Sequence, residues 1–238
     1  MLVTALIPAR FGATRFPGKL MQSLGGMSVI RRTYEAARNT GLFQEVIVAT
    51  DSDEIEREIL SCGGTVFRSQ REHESGTDRI AEAAWGLKTD LIINIQGDTP
   101  FIKKDPLAKL IHLFGEESVN VASMMQVLEK QEEIDDPNFV KVAIDRNHNA
   151  LFFSRSRIPF PRDPIASITY YEHIGVYAFR KQALLDFVSW PAGTLESIEK
   201  VECLRFLENG VGIRMLTVDY LGVEIDTPED LRKAEKLL

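Results

Sequence analysis

Ala5-Leu6-Ile7-Pro8-Ala9-Arg10-Phe11-Gly12-Ala13-Thr14-Arg15-Phe16-Pro17-Gly18-Lys19 is an apolar run that breaks into a loop carrying three cations. Leu2 to Ile7 fits a buried strand that stops at Pro8. Gly12, Pro17 and Gly18 then let the backbone turn tightly. No Asp or Glu precedes Glu35, whereas Arg10, Arg15, Lys19, Arg31 and Arg32 do, so the first 34 residues carry +5 in a chain of formal net charge −7. A basic loop on an acidic protein suits a local anionic ligand. Nucleic acid would want a basic face over much of the surface, so no nucleic-acid partner is expected. The loop reads as a phosphate cradle built from free N–H groups, a helix N-terminus and Arg10, Arg15 and Lys19, or simply as a solvated loop with cations by chance. Gly12 and Gly18 fit neither G-x-G-x-x-G nor the P-loop spacing, which counts against a dehydrogenase or an ATPase.

Outward from this stretch the chain alternates. Ser28 is a candidate N-cap for a helix with Val29, Ile30, Tyr34 and Ala37 on one side, ending at Gly41. Glu45–Thr50 is a second strand, and Asp51 and Ser52 open an acidic first turn of a helix that Gly63 and Gly64 end. Thr65–Phe67 reads as a third strand, and Thr77 as the cap of a helix carrying Ile80, Ala83, Ala84 and Leu87. Leu91–Ile95 reads as a central strand buried on both faces, and Asp105-Pro106 as the start of a further helix. Strands alternating with helices indicate an α/β fold with a mostly parallel sheet. Beyond Val119 the pattern changes. Val140–Ile144 and Ala150–Ser154 read as a hairpin and Glu172–Phe179 as another strand, so antiparallel additions are expected in the C-terminal half. Ser197–Leu207 reads as one helix burying Ile198, Val201, Leu204 and Leu207. Ile213–Val218 and Gly222–Ile225 read as strands, and Thr227-Pro228-Glu229-Asp230 as a capped helix start.

With 44% hydrophobic and 26% charged residues, 238 residues can bury a substantial core, and a single domain over 1–238 is expected. Cys62 and Cys203 offer neither a disulfide framework nor a metal-ligand pairing. The N-terminus lacks the order of a signal peptide, and no apolar run approaches the roughly 20 residues that span a bilayer. The expectation is a cytoplasmic protein with no membrane insertion.

Asp98 and Asp226 each stand at the end of an expected strand before a Pro-containing turn. Two carboxylates converging there with phosphate oxygens would make a hard oxygen site for Mg²⁺. An Asp before a helix is also commonly a cap, and for Asp226 that reading stands beside the metal one. Spacing alone gives His173 no role.

Seven strings then follow in order: Ile7 through Lys19, Val48-Ala49-Thr50-Asp51, Ser75-Gly76-Thr77-Asp78-Arg79, Gln96-Gly97-Asp98, Ala150-Leu151-Phe152-Phe153-Ser154-Arg155, His173-Ile174-Gly175-Val176-Tyr177, and Val223 through Asp230. Together they resemble the sugar-acid cytidylyltransferases, and in particular the CMP-Kdo synthetase family, where Kdo is 3-deoxy-manno-octulosonate. The resemblance spans essentially the whole chain. It implies a Rossmann-like nucleotide-diphospho-sugar transferase fold with helices on both faces of the sheet. The activity implied is transfer of CMP from CTP to the anomeric hydroxyl of Kdo with release of pyrophosphate, in the supply of sugar for lipopolysaccharide. It further implies that Arg10, Lys19, Asp98 and Asp226 are catalytic, and that Ala9, Arg10, Arg15, Lys19, Ser75, Arg79 and Asp98 bind the nucleotide. Asp98 and Asp226 would hold Mg²⁺, and Gln96, Thr99, Arg155, His173 and Glu202 would bind the sugar acid. A homodimer is implied, with the later strands at its interface.

Two positions depart from the family's pattern. Thr99 stands in the usual Gln-Gly-Asp-Glu-Pro, removing a negative charge, and Cys203 stands in the usual Glu-Gln-Leu-Arg, removing an amide. Both lie in strings that the resemblance associates with the acceptor side. Beside Kdo, the alternatives are the same reaction on 8-amino-Kdo or another sugar acid, and a nucleotide-binding protein without catalysis.

Overall fold

A computed structural model describes residues 1–12, 16–73, 75–163, 168–219 and 223–238. In chain order its elements are β1 (Val3–Ala9), a small hairpin of β2 (Ser23–Leu24) and β3 (Met27–Ser28), α1 (Val29–Asn39), β4 (Glu45–Thr50), α2 (Asp53–Ser61), β5 (Thr65–Arg68), α3 (Gly76–Ala84) and β6 (Leu91–Asn94). There follow α4 (Lys104–His112), β7 (Val121–Leu128), α5 (Gln131–Asp135), β8 (Lys141–Ile144), β9 (Ala150–Ser154), β10 (Tyr170–Arg180), α6 (Lys181–Ser189), α7 (Thr194–Glu199), α8 (Leu204–Glu208), β11 (Ile213–Thr217) and α9 (Pro228–Glu235). The fold is α/β, as the alternation predicts. The chain divides into two compact units, Met1–Ala108 with Arg180–Leu185 and Leu221–Leu238, and Lys109–Phe179 with Asp186–Tyr220.

In the first unit the sheet is parallel, in the order β6-β1-β4-β5. All seven residues of β1 are buried because the strand has a neighbour on each edge and helices around it; α3 and α1 both pack on it. The helix starts follow their local chemistry. Ser28 and Ser52 accept from the main-chain N–H three residues on, and Thr227 forms a reciprocal capping box with Asp230. The third helix starts earlier than its sequence suggests: Ser75, not Thr77, is the N-cap of α3, accepting from Asp78 N at 3.2 Å.

Pro8 does not end β1, which runs on to Ala9. Leu6 O accepts from Ile95 N, so Leu6, and with it Pro8 two residues later, faces the β6 side. There the ladder stops at Leu6–Asn94, and Pro8 lacks an N–H where none is called for.

Apart from the β2–β3 hairpin, the antiparallel pairings described here lie in the second unit. β7 lies between β10, antiparallel, and β11, parallel, while β8 pairs antiparallel with both β9 and β10. β7 has no counterpart among the expected strands. Its first five residues are all buried, and such an apolar run lacks the alternation that separates strand from helix in sequence. The expected helix over Ser197–Leu207 is two short ones, because Lys200 takes a left-handed conformation at φ 54°. The bend turns Ile198 outward to 73% exposure, while Val201 and Leu204 stay buried. The expected strand at Gly222–Ile225 is absent from its described residues, Val223–Ile225; Gly222 lies outside them. Among the described residues no helix is long and apolar enough to cross a membrane.

Candidate active site

β1, β4 and β6 are parallel, so their carboxyl ends open on one side of the first unit, where an open parallel sheet takes its ligand. Arg10 follows β1 and is exposed. Ala9 is buried in the strand, leaving its main chain as the part available to a ligand. Gly18, at φ 67°, turns the loop into a 3-10 turn over Lys19–Met21. Arg15 lies outside the described residues.

After β6 the chain makes a tight turn through Gln96-Gly97-Asp98-Thr99. Thr99 N and Thr99 Oγ1 both donate to Gln96 O, at 3.2 and 2.6 Å, so Thr99 is buried and its hydroxyl closes the turn. Thr33 Oγ1 donates to Gly97 O at 2.9 Å and ties the turn to α1. Asp98 O accepts from Ile225 N at 3.0 Å, and this main-chain bond brings the next residue, Asp226, beside Asp98. The Lys19 ammonium donates to Asp98 Oδ2 at 2.5 Å and to Asp226 Oδ1 at 2.7 Å. Burial alone would lower the Lys19 pKa; the attraction of Asp98 and the hydrogen bonds to both carboxylates outweigh it and raise the pKa above its usual value.

Gly97 leaves little room for a side chain. A Cβ there would stand 3.1 Å from Pro8 O, 3.2 Å from Ile30 Cδ1 and 3.3 Å from Leu20 Cδ1, and the Pro8 carbonyl is main chain that cannot rotate away. Gly97→Ala is expected to destabilise the protein by about 1–3 kcal/mol in urea unfolding. A loss under about 0.5 kcal/mol would show that the turn yields freely.

The first unit also holds a cleft of about 730 Å³ whose lining includes Arg10, Phe11, Gly12, Asp51, His73 and Arg79. Lys19, Asp98 and Asp226 do not line it. Arg79 is buried, donating to Asp51 Oδ2 at 2.7 Å and Ser69 Oγ at 3.0 Å. Ser75 is occupied as the α3 cap and donates to Asp78 Oδ2 at 2.9 Å. Asp51 and His73 have no place in the sequence expectations for the site. Asp51 belongs to a family-like string but shows its use only when Arg79 folds against it. His73 sits in a polar loop without a pattern, its ring paired with Glu82 at 2.7 Å.

The second unit carries Arg155, His173 and Glu202. Arg155 donates through Nε, Nη1 and Nη2 to the main-chain oxygens of Glu199, Pro137 and Lys200, at 2.7, 2.9 and 3.3 Å. Glu199 answers by accepting from Ser154 Oγ and Arg155 N. The fork therefore binds the carbonyls at the end of α7 and holds the Lys200 bend. Glu202 is half-buried just before α8. Cys203 is buried, and burial pushes its thiol up to about 12.

His173 packs edge-on to Phe153 at 4.9 Å and against Tyr177 at 5.3 Å. Its Nε2 is 3.1 Å from Ser123 Oγ, which also approaches the carbonyls of Ile174 and Val176. Ser123 has one proton and those carbonyls can only accept, so Nε2 carries the hydrogen of a neutral imidazole. Although the residue keeps some exposure, burial of the ring pushes its pKa down to about 4. A folded-state value below the ordinary 6.5 means the unfolded chain binds the extra proton more readily. The stability this histidine contributes is complete above about pH 6.5 and is lost as pH falls towards 4. Relative to His173→Gln, the wild-type protein is expected to lose about 3 kcal/mol more between pH 7 and 4. Parallel stability curves for the two proteins would rule this out.

Residues 4–215 match a family model described as cytidylyltransferase. The chain is 53% identical to a 3-deoxy-manno-octulosonate cytidylyltransferase of Christiangramia forsetii, over 99% of this chain and 96% of the relative. It is 42% identical to an 8-amino-3,8-dideoxy-manno-octulosonate cytidylyltransferase of Shewanella baltica, over 100% and 99% of the two chains. A solved structure of CMP:2-keto-3-deoxy-manno-octonic acid synthetase complexed with CTP superposes with a TM-score of 0.95 at 34% identity, covering 100% of this chain and 98% of the other. Family model, relatives and superposed structure agree over nearly the whole length, and the chain belongs to the cytidylyltransferase family.

Proposed function

We propose that this protein transfers CMP from CTP to the anomeric hydroxyl of Kdo, releasing pyrophosphate and yielding CMP-Kdo for lipopolysaccharide synthesis. It acts in the cytoplasm as a Mg²⁺-dependent homodimer. One observation carries the reaction class: a lysine and two aspartates from distant parts of the chain converge beside the cationic loop, at the carboxyl end of parallel strands. The 53% identical relative supports Kdo over its 8-amino analogue.

In the reaction the sugar hydroxyl attacks the α-phosphorus of CTP in line. The new O–P bond forms as the bond to the β-phosphate oxygen breaks, the hydroxyl proton passes to solvent, and pyrophosphate departs. Arg10, Arg15 and Lys19 supply the cations that hold the triphosphate and balance the leaving charge. Ala9 offers main-chain contact, and Ser75 and Arg79 shape the nucleotide side from the start of α3. Gln96, Thr99, Arg155, His173 and Glu202 serve the acceptor: Thr99 through the turn it closes, Arg155 through the bend it holds.

The donor set fits Mg²⁺: Asp98 and Asp226 present hard carboxylate oxygens already drawn together around a cation. Bound there, Mg²⁺ would supply positive charge against the phosphate oxygens.

The test is an acceptor panel monitored for pyrophosphate, with Kdo and 8-amino-Kdo side by side. Release that needs CTP, Mg²⁺ and Kdo together is expected, with kcat/KM for Kdo at least about tenfold above that for the analogue. A preference for the analogue would reassign the acceptor. Tight CTP binding with no release on any acceptor would leave a nucleotide-binding protein without catalysis.

A further inference from the structure

Lys19 is expected at a phosphate, yet its ammonium stands between the two carboxylates proposed to hold the metal. The side chains of Lys19 and Asp98 are only 15% and 18% exposed, and that of Asp226 39%, so water does not fully screen two like charges brought this close. Some cation must accompany the pair.

We infer that Lys19 is a stand-in cation: it neutralises Asp98 and Asp226 while no divalent ion is bound, and it leaves them for the triphosphate when the pair takes up the metal. The inference rests on the proposed metal role of that pair. Charge and geometry carry it. With Lys19 in place the cluster keeps one net negative charge; with a divalent ion in its place the cluster is neutral, and one positive charge is released next to an incoming anion. An ammonium on a flexible four-carbon stem suits such an exchange, because it binds as a point charge and needs no planar partner. The main chain beneath it is anchored, with Met21 N donating to Gly18 O at 2.9 Å and Gln22 N to Lys19 O at 3.1 Å, so the movement belongs to the side chain. Metal uptake and phosphate binding are thereby coupled through one residue, and in the absence of nucleotide Lys19 competes with the metal.

Titration of the nucleotide-free full-length protein with Mn²⁺, followed by electron paramagnetic resonance, reads this competition directly. Lys19→Met is expected to bind Mn²⁺ at least about tenfold tighter than the wild type, and Lys19→Arg within about threefold of it. Equal or weaker binding by Lys19→Met overturns the inference. Because that variant leaves two carboxylates facing each other and is at risk of misfolding, a second measurement uses the wild type. Labelling of Lys19 by an amine-reactive reagent, followed by mass spectrometry, is expected to rise at least about threefold, relative to the other lysines, on adding Mg²⁺ alone; an unchanged rate also overturns it. Mn²⁺ binding unaffected by Asp98→Asn would defeat the metal site itself. Binding lost in Asp98→Asn but indifferent to Lys19→Met would defeat only the exchange.

Discussion

Asp98→Asn is expected to lower kcat/KM for pyrophosphate release by at least about a thousandfold, roughly 4 kcal/mol of transition-state stabilisation, with the fold intact. The substitution keeps the size of the side chain and removes one of the two charges proposed to hold Mg²⁺ against the triphosphate. Structure around it survives for two reasons. The Lys19 ammonium keeps Asp226 at 2.7 Å, and Asp98 contributes its main-chain oxygen, not its side chain, to the bond with Ile225 N. The stability loss should therefore stay near 1 kcal/mol, the scale of one partly exposed ion pair. Pyrophosphate release and thermal unfolding, measured on the same preparation, separate the two effects. Turnover within tenfold of wild type would remove Asp98 from the catalytic machinery.

Glu196→Ala is expected to destabilise the protein by about 3–5 kcal/mol, the largest stability effect foreseen outside the active-site cluster. Arg205 donates from Nε and Nη2 to the two Glu196 carboxylate oxygens at 2.7 and 2.6 Å, with both residues 8% exposed. Its guanidinium also lies over the Phe187 ring at 4.1 Å, and Nη1 reaches the carbonyls of Phe187 and Trp190 only at 3.4 Å. Removing Glu196 takes the bidentate carboxylate away from a buried cation. Replacing both members, as Glu196→Leu with Arg205→Met, should cost clearly less than Glu196→Ala alone, because no charge is then left unpaired. Urea unfolding of the single and double variants tests this, and a double variant as unstable as the single would mean that shape, not charge, holds the site. Arg205 belongs to a string that resembles the acceptor side, but its contacts place it in the core of the second unit.

The order of strands and helices in the first unit is readable without coordinates because its signals are local. Ser28, Ser52 and Thr227 cap helices within three residues of themselves, and Glu45–Thr50 carries its β-branched run inside its own span. Where a neighbour outvotes the local pattern, the sequence misleads. Pro8 passes for a strand end until β6 is seen to stop short of it. Ser197–Leu207 passes for one helix until Arg155, from the end of β9, binds the carbonyls that a continuing helix would have used.

The cationic loop shows the same division at the site. Its composition raises the expectation of an anion site, and the order of the family-like strings points to the family, because residue types and spacing are properties of the chain itself. That the Lys19 ammonium rests on carboxylates 79 and 207 residues away is a matter of tertiary structure alone. A charge takes the lowest-energy partner within reach, and what lies within reach of Lys19 is set by one turn after β6 and one main-chain bond from Ile225 to Asp98.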